Sequence, residues 1–342
     1  RGGTLWPPVF FSVEACARSA GGHGVQPQQL IRRMRIVFMG TPESAVSTLR
    51  HCLQDGHEVV AVWTQPDRPA GRGNKVSASP VKEFALSRGL LVQQPSRIKT
   101  EEAAELFRSH EADLAVVVAY GRILPQAFLQ APKHGCVNVH FSLLPKYRGA
   151  APVNWAIVNG ESETGVTTMM IEPELDSGPL LLQRRTPIGA TETAPELMLR
   201  LAEMGADLLS ETLREFAKLK PREQDHAQAS FAPILKKEDG LIKWSASAMS
   251  IDRSIRGFQP WPNGYTTYKS HGLTLFRAEI GPPTNETVAP GQILAARGDD
   301  LIVACGAQST LRIMEVQPQA RRRMSVRDFL NGAQVQVGDR LG

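Results

Sequence analysis

The sequence predicts an α/β protein: a doubly wound, mostly parallel sheet followed by a small β-barrel. Three observations predict it. Short apolar runs alternate with amphipathic segments from Ile36 to Leu219, and strand–helix alternation at that spacing builds βαβ units. One run, Leu114–Ala119 (LAVVVA), is apolar throughout, as expected of a central parallel strand covered on both faces. Beyond residue 264 the pattern changes to short strand-like runs divided by Gly- and Pro-containing turns, which suits a small barrel of the OB type.

The elements follow in order. Ile36–Met39 reads as a strand, Gly40–Glu43 as a turn, and a helix runs on to about Gln54. Val59–Trp63 is a second strand, Thr64–Ser79 a polar loop, and Pro80 opens a helix to Arg88. Leu90–Val92 is strand-like, Glu101–His110 an amphipathic helix, and Leu114–Ala119 the buried strand. Cys136–Val139, Val166–Ile171 and Leu180–Gln183 are further strands, with helices at Ala150–Val158 and Glu196–Leu219. The whole is a Rossmann-like arrangement. In the second part Ser247–Phe258 reads as a helix. Tyr265–Lys269, Leu273–Ile280, Gln292–Ala296, Leu301–Cys305 and Leu311–Val316 read as the barrel strands.

The chain has 342 residues, which suits two domains that each bury a core. The expected layout is an unstructured N-terminal extension over 1–33, a catalytic α/β domain over 34–219, a linker over 220–239 and the barrel over 240–342. The first 33 residues carry four Arg against one Glu. Two readings stand for them: sequence upstream of the natural start at Met34 with no fold of its own, or a transit peptide. Their Pro-Pro and Gly-Gly pairs break any amphipathic helix, which favours the first.

Hydrophobic content of 42% with 21% charged residues is ordinary for a globular protein, and no run of about 18 apolar residues marks a membrane span. Four widely spaced cysteines read as scattered thiols of a reducing compartment, not as a zinc site or disulfide framework. Residues 34–219 hold 19 basic against 21 acidic side chains, and residues 220–342 hold 16 against 12. A basic second part is compatible with an anionic macromolecule as partner, and equally with an unexceptional surface.

Ligands of doubly wound sheets gather outside the carboxyl ends of the strands. That directs attention to Gly40–Glu43, Tyr120–Pro125 and above all Cys136–Pro152 (CVNVHFSLLPKYRGAAP). The first loop lacks GxGxxG, and no GxxxxGK[ST], GxSxG or HExxH occurs, which disfavours dinucleotide, P-loop nucleotide, esterase and metalloprotease chemistry. Asn138 and His140 lie two apart on a strand and so point to one face. An amide and a protonated imidazole there suit the negative charge that develops on a carbonyl under attack. A capping Asn and a satisfied surface His are the alternative readings. Asp176, in EPELDSGPLL, is the candidate carboxylate for the ring, and otherwise a turn residue. Ser142 reads as a loop hydrogen-bonder, since no base at a familiar spacing activates it. The loop Thr64–Ser79 carries Arg68, Arg72 and Lys75 among Pro, Gly and Ser. It suits a phosphate backbone or is simply solvated.

The string NVHFSLLPKYRGAAPVNWAIVNGESETGVT followed by LDSG resembles the folate-dependent formyltransferase family. TQPDRPAGRG, VVVAYGRILP and FQPWPNGY resemble its tRNA-directed branch, so the likeness spans Met34 to the C-terminus. The resemblance implies 10-formyltetrahydrofolate as co-substrate without a metal, and initiator methionyl-tRNA as acceptor. It implies Asn138, His140 and Asp176 as the catalytic trio. It implies Ser142, Leu143, Leu144 and Pro145, with Ala119, Tyr120 and Gly121, as folate contacts. It turns the Arg68, Arg72, Lys75 loop towards the tRNA acceptor stem, and makes the barrel a tRNA-binding domain, with Arg321–Arg323 a weak electrostatic contributor. A monomer in the cytoplasm is expected, the mitochondrial matrix being the other compartment. Two departures from the family pattern, Phe141 after the His and Ser44 after the acid of GTPE, lead to the expectation that Phe141 fills the aminoacyl pocket.

The other readings are an amino-sugar-nucleotide formyltransferase, for which the basic loop is not expected, and a purine-pathway enzyme, which lacks a second domain. A formyl-folate dehydrogenase needs a longer chain, and an inactive RNA-binding protein has no need of the intact trio.

Overall fold

A computed structural model describes residues 33–70, 75–284 and 288–342. Arg72, and all of the N-terminal extension except Arg33, lie outside the described residues. The catalytic half begins with β1 (Arg35–Gly40), α1 (Val46–Gln54), β2 (Glu58–Trp63), β3 (Arg68–Ala70), β4 (Lys75–Ser77), α2 (Pro80–Ser87) and β5 (Val92–Gln93). It continues through α3 (Glu101–Arg108), β6 (Leu114–Val118), α4 (Gln126–Leu129), β7 (Cys136–His140), β8 (Arg148–Gly149), α5 (Pro152–Val158), β9 (Glu163–Met170), β10 (Leu180–Pro187) and α6 (Ala194–Glu215).

Seven strands form one sheet in the order β10-β9-β7-β6-β1-β2-β5. β5, β2, β1, β6 and β7 are parallel, and β9 runs antiparallel to both β7 and β10. The chain starts at β1, builds outward to β5, then returns to β6 on the other side of β1. The strand order therefore reverses between β1 and β6, which opens a crevice at their carboxyl ends.

The alternation along β1 shows how the layers form. Ile36 and Phe38 join the core under α1, α2 and α6, whereas Val37 and Met39 join the core under α3 and α4. Helix starts are fixed by local chemistry. Ser79 accepts the Lys82 N–H ahead of Pro80, Thr100 accepts that of Ala103, and Thr193 with Glu196 forms a capping box. The stretch Thr64–Ser79, expected as a loop, holds three antiparallel pairs between β3 and β4. Its Pro, Gly and Ser content gives no sign of the ladder, which is a backbone property.

The second half contains α7 (Ala248–Gly257), β12 (Gly264–Tyr268), β13 (His271–Ile280), β14 (Ile293–Arg297), β15 (Asp300–Ala304), β16 (Thr310–Pro318), β17 (Met324–Ser325) and α8 (Val326–Gly332), after β11 (Phe231–Ala232). Its sheet has the order β12-β13-β16-β15-β14. The chain end joins the two outer strands: Leu341 bridges Tyr268 and Arg340 bridges Gln292. A small antiparallel barrel results. α8 was readable from its Ser325-x-x-Asp328 cap but is absent from the expectations above. The two halves meet where α5 packs on α7, with the Asn154 amide donating to the Gly257 carbonyl at 2.7 Å.

The described cysteines, Cys52, Cys136 and Cys305, are free and buried, and burial pushes each thiol up to about 12, which makes them inert. No helix among the described residues is long and apolar enough to cross a membrane.

Two buried histidines give a pH dependence. His57 Nδ1 accepts the Met34 N–H at 3.3 Å, and His110 Nε2 accepts the Trp63 indole N–H at 3.2 Å. Burial lowers both from an ordinary value of 6.5, with Asp55 opposing it at His57. A depressed histidine binds fewer protons folded than unfolded, so its contribution is complete above 6.5 and lost as pH falls from there towards the folded value. Thermal melting should therefore decline from pH 7.5 to 5.5, and His110→Gln should flatten the slope. An unchanged slope in that variant would remove His110 from this account.

Candidate active site

β7 carries the sequence CVNVH between β6 and β9, inside the mixed sheet. Val137 and Val139 turn under α6, which leaves Cys136, Asn138 and His140 on the opposite face. The Asn138 side chain is half-buried and makes no hydrogen bond among the described residues. His140 is buried, and its Nε2 donates to the Tyr147 carbonyl at 2.9 Å. A carbonyl accepts only, so Nε2 bears the proton and Nδ1 is the nitrogen left for chemistry. Nδ1 lies 3.7 Å from Asp176 Oδ2. That exceeds a hydrogen bond.

Asp176 arrives from the connection between β9 and β10. That connection leaves β9 with the Ile171 N–H on the Cys136 carbonyl, then travels along β7 to His140. Asp176 adopts φ 49°, a left-handed conformation costing a non-glycine residue about 1–2 kcal/mol. Its Oδ2 accepts the Gly149 N–H at 2.8 Å. The structure thus gathers Asn138, His140 and Asp176, of which the strand pattern alone linked the first two.

The turn Ser142–Pro145 divides into two roles. The Ser142 hydroxyl is buried and donates to the Lys146 carbonyl at 2.6 Å; Leu144 packs against Met169 and Leu180. Thr167 Oγ1 donates to the Ser142 carbonyl and accepts the Leu144 N–H, while the Gln183 amide donates to the Leu144 carbonyl. Ser142 and Leu144 therefore shape the loop, and Leu143 and Pro145 keep partly exposed side chains.

At the end of β6, Ala119 (φ 46°) and Gly121 (φ 82°) make a left-handed turn with both residues exposed. Tyr120 is buried between them, and its carbonyl accepts from Thr41 Oγ1 at 3.2 Å and Gln65 Nε2 at 3.0 Å. The same Gln65 accepts from Arg122. Two residues on, Asp67 takes Lys82 and Gln94, contacts that hold its carboxyl below the usual range. The root of the β3–β4 hairpin is thereby pinned beside the crevice. Arg68 is exposed on it, Lys75 lies in β4 and Arg72 lies outside the described residues.

Phe141 is a correction. It is buried in the core under α6 with Val139 and Val166, its ring against Gly205. A side chain one residue beyond His140 belongs to the opposite face of the strand, so Phe141 fills the core and not the aminoacyl pocket. Residues missed from the sequence are Tyr147 and Gly149, which act through backbone groups, and Gln224, which arrives from the stretch read as a linker.

No group of three His, Cys, Asp or Glu among the described residues is placed to hold a metal ion. The profile of the family described as "Formyl transferase" matches residues 34–213, and that of "Formyl transferase, C-terminal domain" matches residues 234–334. The chain belongs to the formyl transferase family. Family members similar to it include "Methionyl-tRNA formyltransferase" of Citrifermentans bemidjiense, 50% identical over 90% of this chain and 96% of that one. The protein of the same name from Geobacter sulfurreducens is 46% identical over 90% and 97%. Among solved structures, the Helicobacter canadensis N-formyltransferase in complex with folinic acid and dTDP-3-aminofucose has a TM-score of 0.62 at 20% identity, covering 83% of this chain and 99% of that one. HypX from Aquifex aeolicus in complex with tetrahydrofolic acid has a TM-score of 0.60 at 18% identity, covering 87% of this chain; this chain spans 47% of that one. At such identities these two likenesses speak for the fold alone.

Proposed function

We propose that the chain transfers the formyl group of 10-formyltetrahydrofolate to the amino group of methionine carried by initiator tRNA, the modification that prepares it for translation initiation. The observation that carries this is the gathering of Asn138, His140 and Asp176 at the end of β7. It occurs in a chain half identical to a named methionyl-tRNA formyltransferase over nine tenths of its length.

The crevice suits the co-substrate. Exposed residues Ala119 and Gly121, and again 172–175, can offer backbone groups to a flat polar ring. Leu143 and Pro145 offer apolar surface. When bound, 10-formyltetrahydrofolate supplies an activated formyl carbon on a nitrogen leaving group. The neutral amine attacks that carbon, a C–N bond forms, and the carbonyl oxygen takes up negative charge. Asn138, whose amide has no other partner among the described residues, donates to that oxygen. His140, in the form that carries a second proton on Nδ1, supplies the other donor while Tyr147 holds Nε2. The proton shed by the amine is taken by the Asp176 carboxylate. The His140–Asp176 pair returns one proton to the departing nitrogen as its bond to carbon breaks, so the pair ends as it began. Preorganised donors at a developing oxyanion contribute about 2.7–4 kcal/mol each.

The decisive assay offers labelled 10-formyltetrahydrofolate with either charged initiator tRNA or an amino-sugar nucleotide. Label on the methionine amine supports the proposal, and label on the sugar alone refutes it. Partner binding has its own test. Arg68→Ala and Arg72→Ala should each weaken productive tRNA use, leave folate affinity unchanged and lower the salt slope by about one. Unchanged tRNA kinetics and salt slope would remove the hairpin from the tRNA contact.

A further inference from the structure

Gln224 and Arg148 form a buried circuit that ends on both members of the His140–Asp176 pair. Arg148 is 3% exposed and makes no ion pair among the described residues. A buried guanidinium without a carboxylate is costly unless its donors are satisfied. Here Nε and Nη2 both reach Gln224 Oε1, at 3.1 and 2.7 Å, and Nη2 also reaches His226 Nδ1 at 3.1 Å. Gln224, itself 4% exposed, directs its NH₂ to the carbonyls of Asp176 at 2.9 Å and Gly178 at 2.8 Å. A guanidinium only donates and a carbonyl only accepts, so this amide has a single orientation.

The backbone on either side of Arg148 completes the circuit. Tyr147 offers the carbonyl that takes His140 Nε2–H, and Gly149 offers the N–H that takes Asp176 Oδ2. A third strap comes from the same segment. Ser230 Oγ accepts the Tyr147 N–H at 2.9 Å, and β11 pairs with β8, Phe231 opposite Arg148. Residues 224–232 therefore clamp the turn that holds the ring and the turn that holds the carboxylate.

We propose that Gln224, locked by Arg148, is a positioning residue that holds Asp176 in its left-handed conformation and so sets the distance between Asp176 and His140 Nδ1. This rests on the proposed function of the same site. Gln224 touches no substrate in this account, so its loss acts on the chemical step and not on binding, and misplacement of a reacting group by about 1 Å is enough to cost roughly 100-fold.

The test is a double-mutant cycle with Asp176. Gln224→Glu keeps an acceptor for Arg148, and so the fold, while deleting the donors to Asp176 and Gly178. Gln224→Met deletes both. Each should lower kcat by about 10- to 100-fold with KM for either substrate within roughly threefold. In an Asp176→Ala background, neither should lower kcat more than about twofold further, because there is no carboxylate left to place. A wild-type kcat in Gln224→Glu, or the same fold-loss in both backgrounds, overturns the inference. The outcomes also separate it from the reading beneath. If Asp176→Ala keeps its rate, the proposed chemistry falls with it. If Asp176→Ala loses its rate and Gln224→Glu does not, only the positioning role falls.

Discussion

His140→Ala is expected to lower formyl transfer to methionyl-tRNA by about 10²- to 10⁴-fold, the range of a positioned acid–base group. The ring is buried, its Nε2 is committed to the Tyr147 carbonyl, and only Nδ1 faces Asp176. In the proposed chemistry His140 shares the proton with Asp176 and the oxyanion with Asn138, so its loss removes a part of both. tRNA affinity should be unchanged, because the His140 ring is buried and offers the nucleic acid no exposed charge. Asp176→Asn separates charge from shape, since its side-chain oxygen can still accept the Gly149 N–H. It should lose most of the rate while melting close to wild type. Single-turnover transfer with labelled folate, set against tRNA binding and thermal melting, measures each part. A rate within about threefold of wild type in either variant, against the loss expected of such a group, removes that residue from the chemistry.

Phe141→Ala carries the second large effect, and it is one of stability. The ring is 5% exposed among Val139, Val166 and the α6 face. A buried Phe→Ala change typically costs about 3–5 kcal/mol. Gly205 indicates how tight the site is: a Cβ there would lie 2.9 Å from Val139 Cγ1 and 3.4 Å from the Phe141 ring. Urea unfolding should show that loss, while the surviving folded enzyme keeps its preference for methionyl-tRNA. Wild-type stability with altered acceptor choice would return Phe141 to the pocket.

These two residues mark what a sequence discloses and what it does not. Period-two alternation placed Asn138 and His140 together, and the same rule assigns Phe141 to the other face. Comparison with family motifs pointed the other way, because a motif records neighbours in sequence and not sides of a strand. The LAVVVA strand, the βαβ rhythm and the barrel strands were legible because burial imposes apolar runs. α4 has four residues, too few to show a period. β3 and β4 are held together by main-chain pairing that no residue type announces. The sequence marks Asp176 as a candidate, but its approach to His140 depends on how the β9–β10 connection folds. Gln224 was hidden for a related reason. Its partners are the carbonyls of Asp176 and Gly178 and the side chain of Arg148, 46 to 76 residues away, in a polar stretch with the composition of a linker.

The central claim is that Asn138, His140 and Asp176 together move a formyl group onto an amine. The most direct measurement is single-turnover transfer of formyl label from 10-formyltetrahydrofolate to initiator methionyl-tRNA, run side by side for the wild type and for Asn138→Ala, His140→Ala and Asp176→Ala. Label is expected on the methionine amine in the wild type, with losses of at least about 100-fold in each variant at unchanged tRNA affinity. Absence of label in the wild type, or transfer by all three variants at the wild-type rate, would contradict it.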